Sequence, residues 1–382
     1  MYNRKVVFWA ACIGMLFFGI CLITLGSIIP DLSQKLKLDT LSAGTLFSIM
    51  PFGILAGSLL FGPIVDRYGY KFLLAASCFL LFTGFEGVAF SSSVNMIRIF
   101  VFLVGFSGGA INGATNAVIS DISPDSKGAD LSLLGVFFGI GALGMPLVLG
   151  LLKGLYTFGI ILAAVGIITL ATGIFYLIIK FPQPKQSQGF PVSQSLALIR
   201  DNVLILIAIF LFFQSSFEGI INNWTTTYLI DHLAIRQDYA LFALSTFVAG
   251  MALMRLITGS ILRKLKEHRL LFICFTFSLA GLILIRSAAG FYMAALGLFI
   301  LGAGLSAGFP VMLGFTGTRY SALSGTAFSL VLAFALTGNM LINYGMGLVA
   351  ENWGIRHLTT VAFAELVVLI LMAFIILRRI KK

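Results

Sequence analysis

The sequence has few charged residues. Lysine, arginine, aspartate and glutamate make up 10% of the 382 residues, hydrophobic residues make up 59%, and the mean hydropathy is +1.05. Soluble proteins contain about 25% charged residues, so this composition indicates a protein embedded in a lipid bilayer. The net charge of +11 does not indicate a nucleic-acid partner, because the lysines and arginines occur in short clusters between apolar segments.

Enzyme and metal-site patterns are also missing. The four cysteines and three histidines have no metal-ligand or CxxC spacing. The sequence has no GxSxG, HExxH or P-loop motif, so we expect no enzyme activity, no cofactor and no metal site. A non-transporting sensor is the remaining alternative of a different class, but a sensor would normally carry an additional soluble domain.

Twelve apolar segments are long enough to cross a bilayer as helices, which takes about 20 residues each. A helix satisfies its own backbone in lipid, and no strand-like alternation indicates a barrel. We number these segments spans 1 to 12, and they lie near 6–29, 41–64, 71–92, 95–119, 130–153, 156–180, 202–230, 239–262, 269–287, 290–314, 323–349 and 355–378. The proline- and glutamine-rich stretch at 181–195 predicts a cytoplasmic linker at 181–200. This linker would join six-helix halves at 1–180 and 201–382.

The basic residues predict the orientation. Seventeen lysines and arginines fall on the side of the N-terminus and seven on the other side, so we expect both termini in the cytoplasm. The short loops favour a bacterial inner membrane, and we expect a monomer.

The stretch GPIVDRYGYK follows span 2. It resembles the signature of the major facilitator superfamily, G-x-x-x-D-R-x-G-x-R/K, and GSILRKLKEHR at 259–269 echoes it after span 8. The alternative is an ordinary basic turn between helices. The signature residues are Gly62, Asp66, Arg67, Gly69 and Lys71. The glycines would allow a close helix contact and a tight turn, and the aspartate would cap a helix or pair with a cation. The resemblance implies an all-α membrane protein of twelve transmembrane helices in two pseudo-symmetric six-helix halves, which works by alternating access.

Five softer stretches resemble the fucose-permease-like sugar transporters of that superfamily. They are GFSGGAINGATN (105–116), GVFFGIGALGMPLVLG (135–150), FFQSSFEGIINNWTTTYL (212–229), GAGLSAGFPVMLGFT (302–316) and SGTAFSLVLAFALTGNM (324–340). The resemblance implies a sugar substrate. In the fucose/proton symporter, spans 1 and 4 each carry an acid associated with proton coupling. Here span 1 has no carboxylate, and Asn112 occupies the span 4 position. The coupling therefore cannot be transferred to this chain.

Polar residues recur at helical spacing in three spans. Residues four apart share a helix face, and buried amides facing lipid would be costly. Spans 1, 4, 7 and 10 line the cavity in this superfamily, so we expect these faces to bind solute, although bonds between helices are the alternative. The candidate binding residues are Asn112, Asn116, Gln214, Glu218, Asn222, Asn223, Trp224, Tyr228, Phe309, Asn339 and Asn343.

These residues predict a small-molecule substrate, namely a sugar or a similar neutral polyhydroxylated solute. Amides both donate and accept hydrogen bonds, and spans 4 and 7 have no lysine or arginine in their middle. Efflux of apolar drugs is the alternative within transport. Glu218 is the candidate carrier if a proton or another cation drives transport, and it could equally be structural. Arg255, in span 8, could reach the aqueous interface or pair with a carboxylate.

Overall fold

The structure is a computed structural model that describes residues 2–37, 40–152, 155–184, 198–261 and 265–380. It confirms the twelve predicted spans, and every regular element of the described residues is a helix. Spans 1 to 6 are Arg4–Leu36, Thr40–Tyr68, Tyr70–Phe90, Val94–Ile122, Lys127–Leu152 and Phe158–Ile178. Spans 7 to 12 are Asn202–Thr227, Gln237–Ile261, Glu267–Arg286, Phe291–Leu305 with Gly308–Arg319, Ser324–Trp353 and Leu358–Ile380.

Span 7 has well-defined ends. Its N-terminal cap is Asp201, whose side chain accepts hydrogen bonds from the backbone N–H groups of Val203 and Leu204. At the other end, the α-helix passes into one π-helical turn, Tyr228–His232. Such turns change the direction of the side chains that follow and often occur near functional sites.

Span 10 consists of two helices, whereas its apolar sequence predicts one continuous helix. The first ends at Leu305 and the second begins at Gly308. Pro310 lies in the first turn of the second helix. Proline has no N–H group to bond to residue 306, so it is tolerated there but interrupts a continuous helix. The break leaves carbonyl groups at the end of the first helix that need other hydrogen-bond donors.

The chain forms two compact units. Unit 1 comprises Met1–Pro124, Phe137–Leu196 and Tyr320–Leu330, and unit 2 comprises Asp125–Val136, Ala197–Arg319 and Val331–Lys382. Each unit therefore includes one short segment from the other half of the sequence. Most of the predicted linker, 185–197, lies outside the described residues, so the division of the chain at 181–200 stays a prediction.

The two units repeat one mode of helix packing. In unit 1, spans 2 and 4 are so close that a Cβ atom on Gly57 or Gly109 would overlap the backbone of the other helix. In unit 2, Gly250 of span 8 and Gly302 of span 10 are placed in the same way. Spans 8 and 10 hold the same places in the second half as spans 2 and 4 in the first. The packing therefore agrees with two pseudo-symmetric halves held by small residues.

Candidate functional site

The polar face of span 7 begins with Gln214 and Glu218. Gln214 is buried, and its Nε2 donates hydrogen bonds of 2.9 Å to Oε1 of Glu218 and 2.9 Å to the carbonyl oxygen of Leu305. Leu305 is the last residue of the first helix of span 10, so this bond satisfies a carbonyl group at the helix break. A side chain on Gly308, across the break, would overlap Gln214. Gln214 thus joins Glu218 to the break in span 10.

Arg255 of span 8 lies beside Glu218. Its Nη2 is 3.9 Å from Oε2 of Glu218, which is an ion pair without a short hydrogen bond. Its Nη1 donates to the carbonyl oxygen of Gly135 over 3.5 Å, and its own carbonyl oxygen accepts from the hydroxyl of Ser132 at 2.8 Å. Arg255 therefore connects Glu218 to the beginning of span 5. Spans 4 and 7 have no lysine or arginine in their middle, and the positive charge beside Glu218 comes from span 8.

Spans 7 and 11 meet through a chain of amides. Nδ2 of Asn223 donates to Oδ1 of Asn343 at 2.9 Å, and Nδ2 of Asn343 donates to the backbone and side-chain oxygens of Asn339 at 2.8 and 3.1 Å. Asn339 in turn donates to the carbonyl oxygen of Ser215 at 2.9 Å. Gly219 makes room for these amides, because its Cβ would be 2.5 Å from Nδ2 of Asn339. The structure thus brings the predicted residues of these two spans together.

The other predicted residues of unit 2 differ in their exposure and in their contacts. Asn222 is exposed and donates to the carbonyl oxygen of Glu218 at 2.8 Å. The indole of Trp224 lies 3.5 Å from where a Cβ on Gly347 would be. Tyr228 is buried in the π-helical turn, 1% exposed, and the centre of its ring lies 5.1 Å from that of the His232 ring. Phe309 is half-buried beside the break in span 10.

The amides of span 4 belong to unit 1. Asn116 is buried, and its Nδ2 donates to the carbonyl oxygen of Asn112 at 2.8 Å and to its Oδ1 at 3.0 Å. These bonds lie within one helix and leave the Nδ2 group of Asn112 for other partners. Span 4 therefore carries a local amide pair of its own.

The signature residue Asp66 caps span 11. Asp66 is 1% exposed, and its carboxylate accepts hydrogen bonds from the N–H groups of Gly325 and Thr326 at 3.2 and 2.8 Å and from the Thr326 hydroxyl at 2.6 Å. These groups lie in the first turn of span 11, where N–H groups lack helical partners and a negative charge is favoured. Next to it, Asp121 accepts hydrogen bonds from Tyr70 at 2.5 Å and Ser324 at 2.9 Å.

The remaining signature residues shape this contact. A Cβ on Gly62 would lie 2.5 Å from the carbonyl oxygen of Gly325, so only glycine allows spans 2 and 11 this close. Gly69 has φ +82° between spans 2 and 3, a conformation that side chains disfavour. The guanidinium of Arg67 lies 5.7 Å from the centre of the Tyr68 ring, and Lys71 is half-buried at the start of span 3.

Sequence reasoning missed two features of this region. Apolar length and spacing locate residues on one helix, whereas the Asp121–Ser324 bond and the contacts of Arg255 with span 5 depend on distant parts of the chain. Another buried carboxylate of unit 2, Glu365 of span 12, accepts a hydrogen bond from the buried hydroxyl of Ser216.

Comparison with known proteins identifies the family to which the chain belongs. The model of the Major Facilitator Superfamily matches residues 11–285. The chain is 22% identical over 360 residues to the uncharacterised MFS-type transporter YfkL of Bacillus subtilis (strain 168), covering 91% of this chain and 89% of YfkL. It is 32% identical over 107 residues to the 4-hydroxybenzoate transporter PcaK of Pseudomonas aeruginosa, covering 28% of this chain and 24% of PcaK. This chain spans about a quarter of the length of several curated relatives that it matches over one segment.

The fold is similar to that of a solved transporter. The crystal structure of the E. coli fucose:proton symporter FucP has a TM-score of 0.82 and 16% sequence identity, with coverage of 98% of this chain and 99% of FucP. At this identity the likeness concerns the fold. The family match, the twelve spans and the transporter relatives lead to one conclusion: this chain belongs to the Major Facilitator Superfamily and is a multi-pass membrane transporter.

Proposed function

We propose that this transporter moves a sugar or a similar polyhydroxylated solute by alternating access, and that a proton carried by Glu218 drives the movement. The observation that carries the proposal is the polar network of unit 2, in which amides of spans 7 and 11 meet each other and a carboxylate meets a guanidinium. The similarity of the fold to a fucose:proton symporter supports it.

The exposed amides argue for a hydrated, solute-binding face. Asn222 and Asn223 are exposed on a membrane-spanning helix. An amide that faced hydrocarbon would leave donors and acceptors unsatisfied, at a cost of several kcal/mol. These side chains therefore face water or solute, and they offer a sugar the donors and acceptors that its hydroxyl groups require. Trp224 nearby offers an apolar surface for a sugar ring. Efflux of apolar drugs would not need this amide face.

Glu218 is suited to carry a proton. It lies near the middle of span 7, and its side chain is 18% exposed, so water can reach it. One hydrogen bond from Gln214 and an ion pair of 3.9 Å hold it. A carboxyl group held this loosely can gain and lose a proton without breaking a closely packed bidentate pair. Glu365, by contrast, is 4% exposed and bonded to Ser216.

The distribution of lysines and arginines supports a proposal on the placement of the protein in the cell. We propose that both termini face the cytoplasm of a bacterium, that the chain lies in the inner membrane, and that it acts as a monomer. In this orientation the Asp66 cap on span 11 lies at the cytoplasmic side, where it would be made and broken as transport proceeds.

The test is uptake into proteoliposomes that contain the purified protein. Labelled hexoses, pentoses, deoxy sugars and sugar acids are offered with and without an inward proton gradient. We expect at least one of them to accumulate when the gradient is present. Glu218→Gln should abolish accumulation but still exchange internal for external solute, because an amide cannot release a proton.

Glu365→Gln is the matched control, because it removes a buried carboxyl group from the same unit. It should retain gradient-driven accumulation. Uptake that does not depend on the proton gradient, or gradient-driven accumulation that is unchanged in Glu218→Gln, would disprove that Glu218 carries the coupling proton. Uptake of no polyhydroxylated solute at all would disprove the substrate class.

A further inference from the structure

We propose that Arg255 binds a carboxylate group of the transported solute, and that this binding requires a proton on Glu218. The inference rests on the proposed function and narrows it. The solute is then a polyhydroxylated monocarboxylate, that is, a sugar acid, and its charge is recognised in unit 2 by a residue of span 8.

The guanidinium of Arg255 is buried but poorly satisfied. Arg255 is 9% exposed, and a guanidinium has five N–H donors. Two of its nitrogens have the long contacts described above, 3.5 Å to Gly135 and 3.9 Å to Glu218. Among the residues that the structure describes, no group accepts a hydrogen bond from its buried Nε atom. A buried charge normally has close partners, so Nε has a hydrogen-bonding capacity that no described residue uses.

The open donors suit a carboxylate. Arginine offers a planar fork of parallel N–H groups, and a carboxylate can accept two of them at once. Nε forms one arm of such a fork, and here it is the unpaired atom. Gly135 makes room for the guanidinium, because a Cβ there would lie 3.2 Å from Nη1 and 3.3 Å from Cδ of Arg255. The amides of spans 7 and 11 are on the same unit and can bind hydroxyl groups of the same solute.

Glu218 gives this site its dependence on protons. Within the described part of the chain, the charged group in contact with Glu218 is Arg255 from span 8. Span 10 contributes the carbonyl group bonded to Gln214, span 11 contributes amides, and Glu365 of span 12 is bonded to Ser216. A solute carboxylate at Arg255 would lie near an ionised Glu218, and like charges at this distance repel. A proton on Glu218 removes the repulsion, so proton and solute favour each other's binding equally.

The charge balance of transport follows from this pairing. One carboxylate anion enters with one proton, and no net charge crosses the membrane. A pH gradient should therefore drive uptake, whereas a membrane potential alone should not. Arg255 is paired with a carboxylate throughout the cycle. In the empty transporter that carboxylate belongs to Glu218, and in the loaded transporter it belongs to the solute while Glu218 is protonated and neutral.

Binding of labelled glucuronate to the purified protein tests the site directly. In the wild type, affinity should be at least tenfold higher at about pH 6 than at about pH 8, although glucuronate itself stays ionised in this range. In Glu218→Gln this pH dependence should vanish, and binding should remain. Arg255→Lys retains the charge but loses the fork, so affinity should fall at least tenfold.

Two further variants protect the test against misfolding. Removing Arg255 alone would leave Glu218 unpaired, so the double variant Arg255→Gln/Glu218→Gln removes both charges together. It should remain folded by size-exclusion chromatography and should not bind glucuronate. Arg286→Gln removes an exposed arginine in the last turn of span 9, in the same unit, and should bind glucuronate like the wild type.

The outcomes separate the two proposals. Glucuronate binding that is unchanged in Arg255→Lys or in the double variant overturns the carboxylate site. Uptake of neutral sugars alone, with Arg255 variants unaffected, also overturns it and leaves the proposed sugar transport intact. Uptake of 4-hydroxybenzoate that depends on Arg255, with no sugar or sugar acid transported, supports the carboxylate site and overturns the polyhydroxylated substrate. Uptake of glucuronate that follows the membrane potential rather than the pH gradient overturns the pairing with Glu218.

Discussion

Replacing Asp66 with asparagine tests how strongly spans 2 and 11 are joined. Oδ1 of Asp66 accepts a hydrogen bond from the N–H group of Gly325, and Oδ2 accepts from the N–H and hydroxyl groups of Thr326. Asparagine has one acceptor oxygen and presents an NH₂ group in place of the other. At least one backbone N–H would then face a donor instead of an acceptor.

The size of the effect can be worked out from these bonds. A buried donor left without its partner costs about 1–3 kcal/mol. Loss of the negative charge at a helix N-terminus adds about 0.5–2 kcal/mol in a partly buried setting. We therefore expect Asp66→Asn to lower the free energy of unfolding by about 1.5–5 kcal/mol. With an unfolding entropy of about 0.8 kcal/mol/K for a chain of this length, the melting temperature should fall by about 2–6 °C.

Thermal unfolding of the purified protein in detergent measures this change. Thr326→Val removes the hydroxyl bond but keeps the backbone donor, so it should cost about 1–2 kcal/mol. Because both changes affect the same contact, the double variant should lose less than the sum of the two. Glu351→Gln, an exposed carboxylate at the far end of span 11, is the control and should be neutral. An Asp66→Asn protein that melts with the control would refute the reasoning.

Two further predictions concern unit 2. Gly219→Ala would place a Cβ 2.5 Å from Nδ2 of Asn339, so the amides of spans 7 and 11 must shift. We expect the free energy of unfolding to fall by about 1–3 kcal/mol and solute binding to weaken, both measured on the purified protein. Gly345→Ala, in open space on span 11, should not destabilise the protein, and equal losses in both variants would contradict the account. Ser216→Ala removes the hydroxyl that donates a hydrogen bond to Glu365. The other oxygen of Glu365 has no partner among the described residues, so we expect the free energy of unfolding to fall by about 1–3 kcal/mol, measured by thermal unfolding. Gradient-driven uptake should persist in this variant, and its loss would instead give Glu365 a part in coupling.

The sequence predicts the features that depend on one helix at a time. Hydrophobic length locates all twelve spans because crossing a bilayer is a property of each segment by itself. The break in span 10 could have been found in the same way, since Pro310 marks it. The glycine and aspartate of the signature motif predict a close contact and a helix cap. Their partner, the first turn of span 11, lies about 260 residues away and leaves no local signal.

The polar site shows the same limit. Helical spacing places Gln214 next to Glu218, and the structure has them in hydrogen-bond contact. Spacing cannot reveal which neighbouring helix the face meets. The sequence allows Arg255 either to reach the aqueous interface or to pair with a carboxylate. The packing of span 8 against spans 5 and 7 places it beside Glu218. Binding roles for the individual site residues stay predictions, since a contact between two side chains does not identify their ligand.

The exchange of short segments between the sequence halves has a consequence for how the protein is made. Unit 1 includes Tyr320–Leu330, and unit 2 includes Asp125–Val136. During synthesis Asp66 enters the membrane long before Gly325 and Thr326 exist, because 259 and 260 positions separate them. The first six helices can therefore insert early, but unit 1 reaches its final form only after the ribosome has added Tyr320–Leu330. A protein cut at the linker would have to bring both pieces together before either unit was complete.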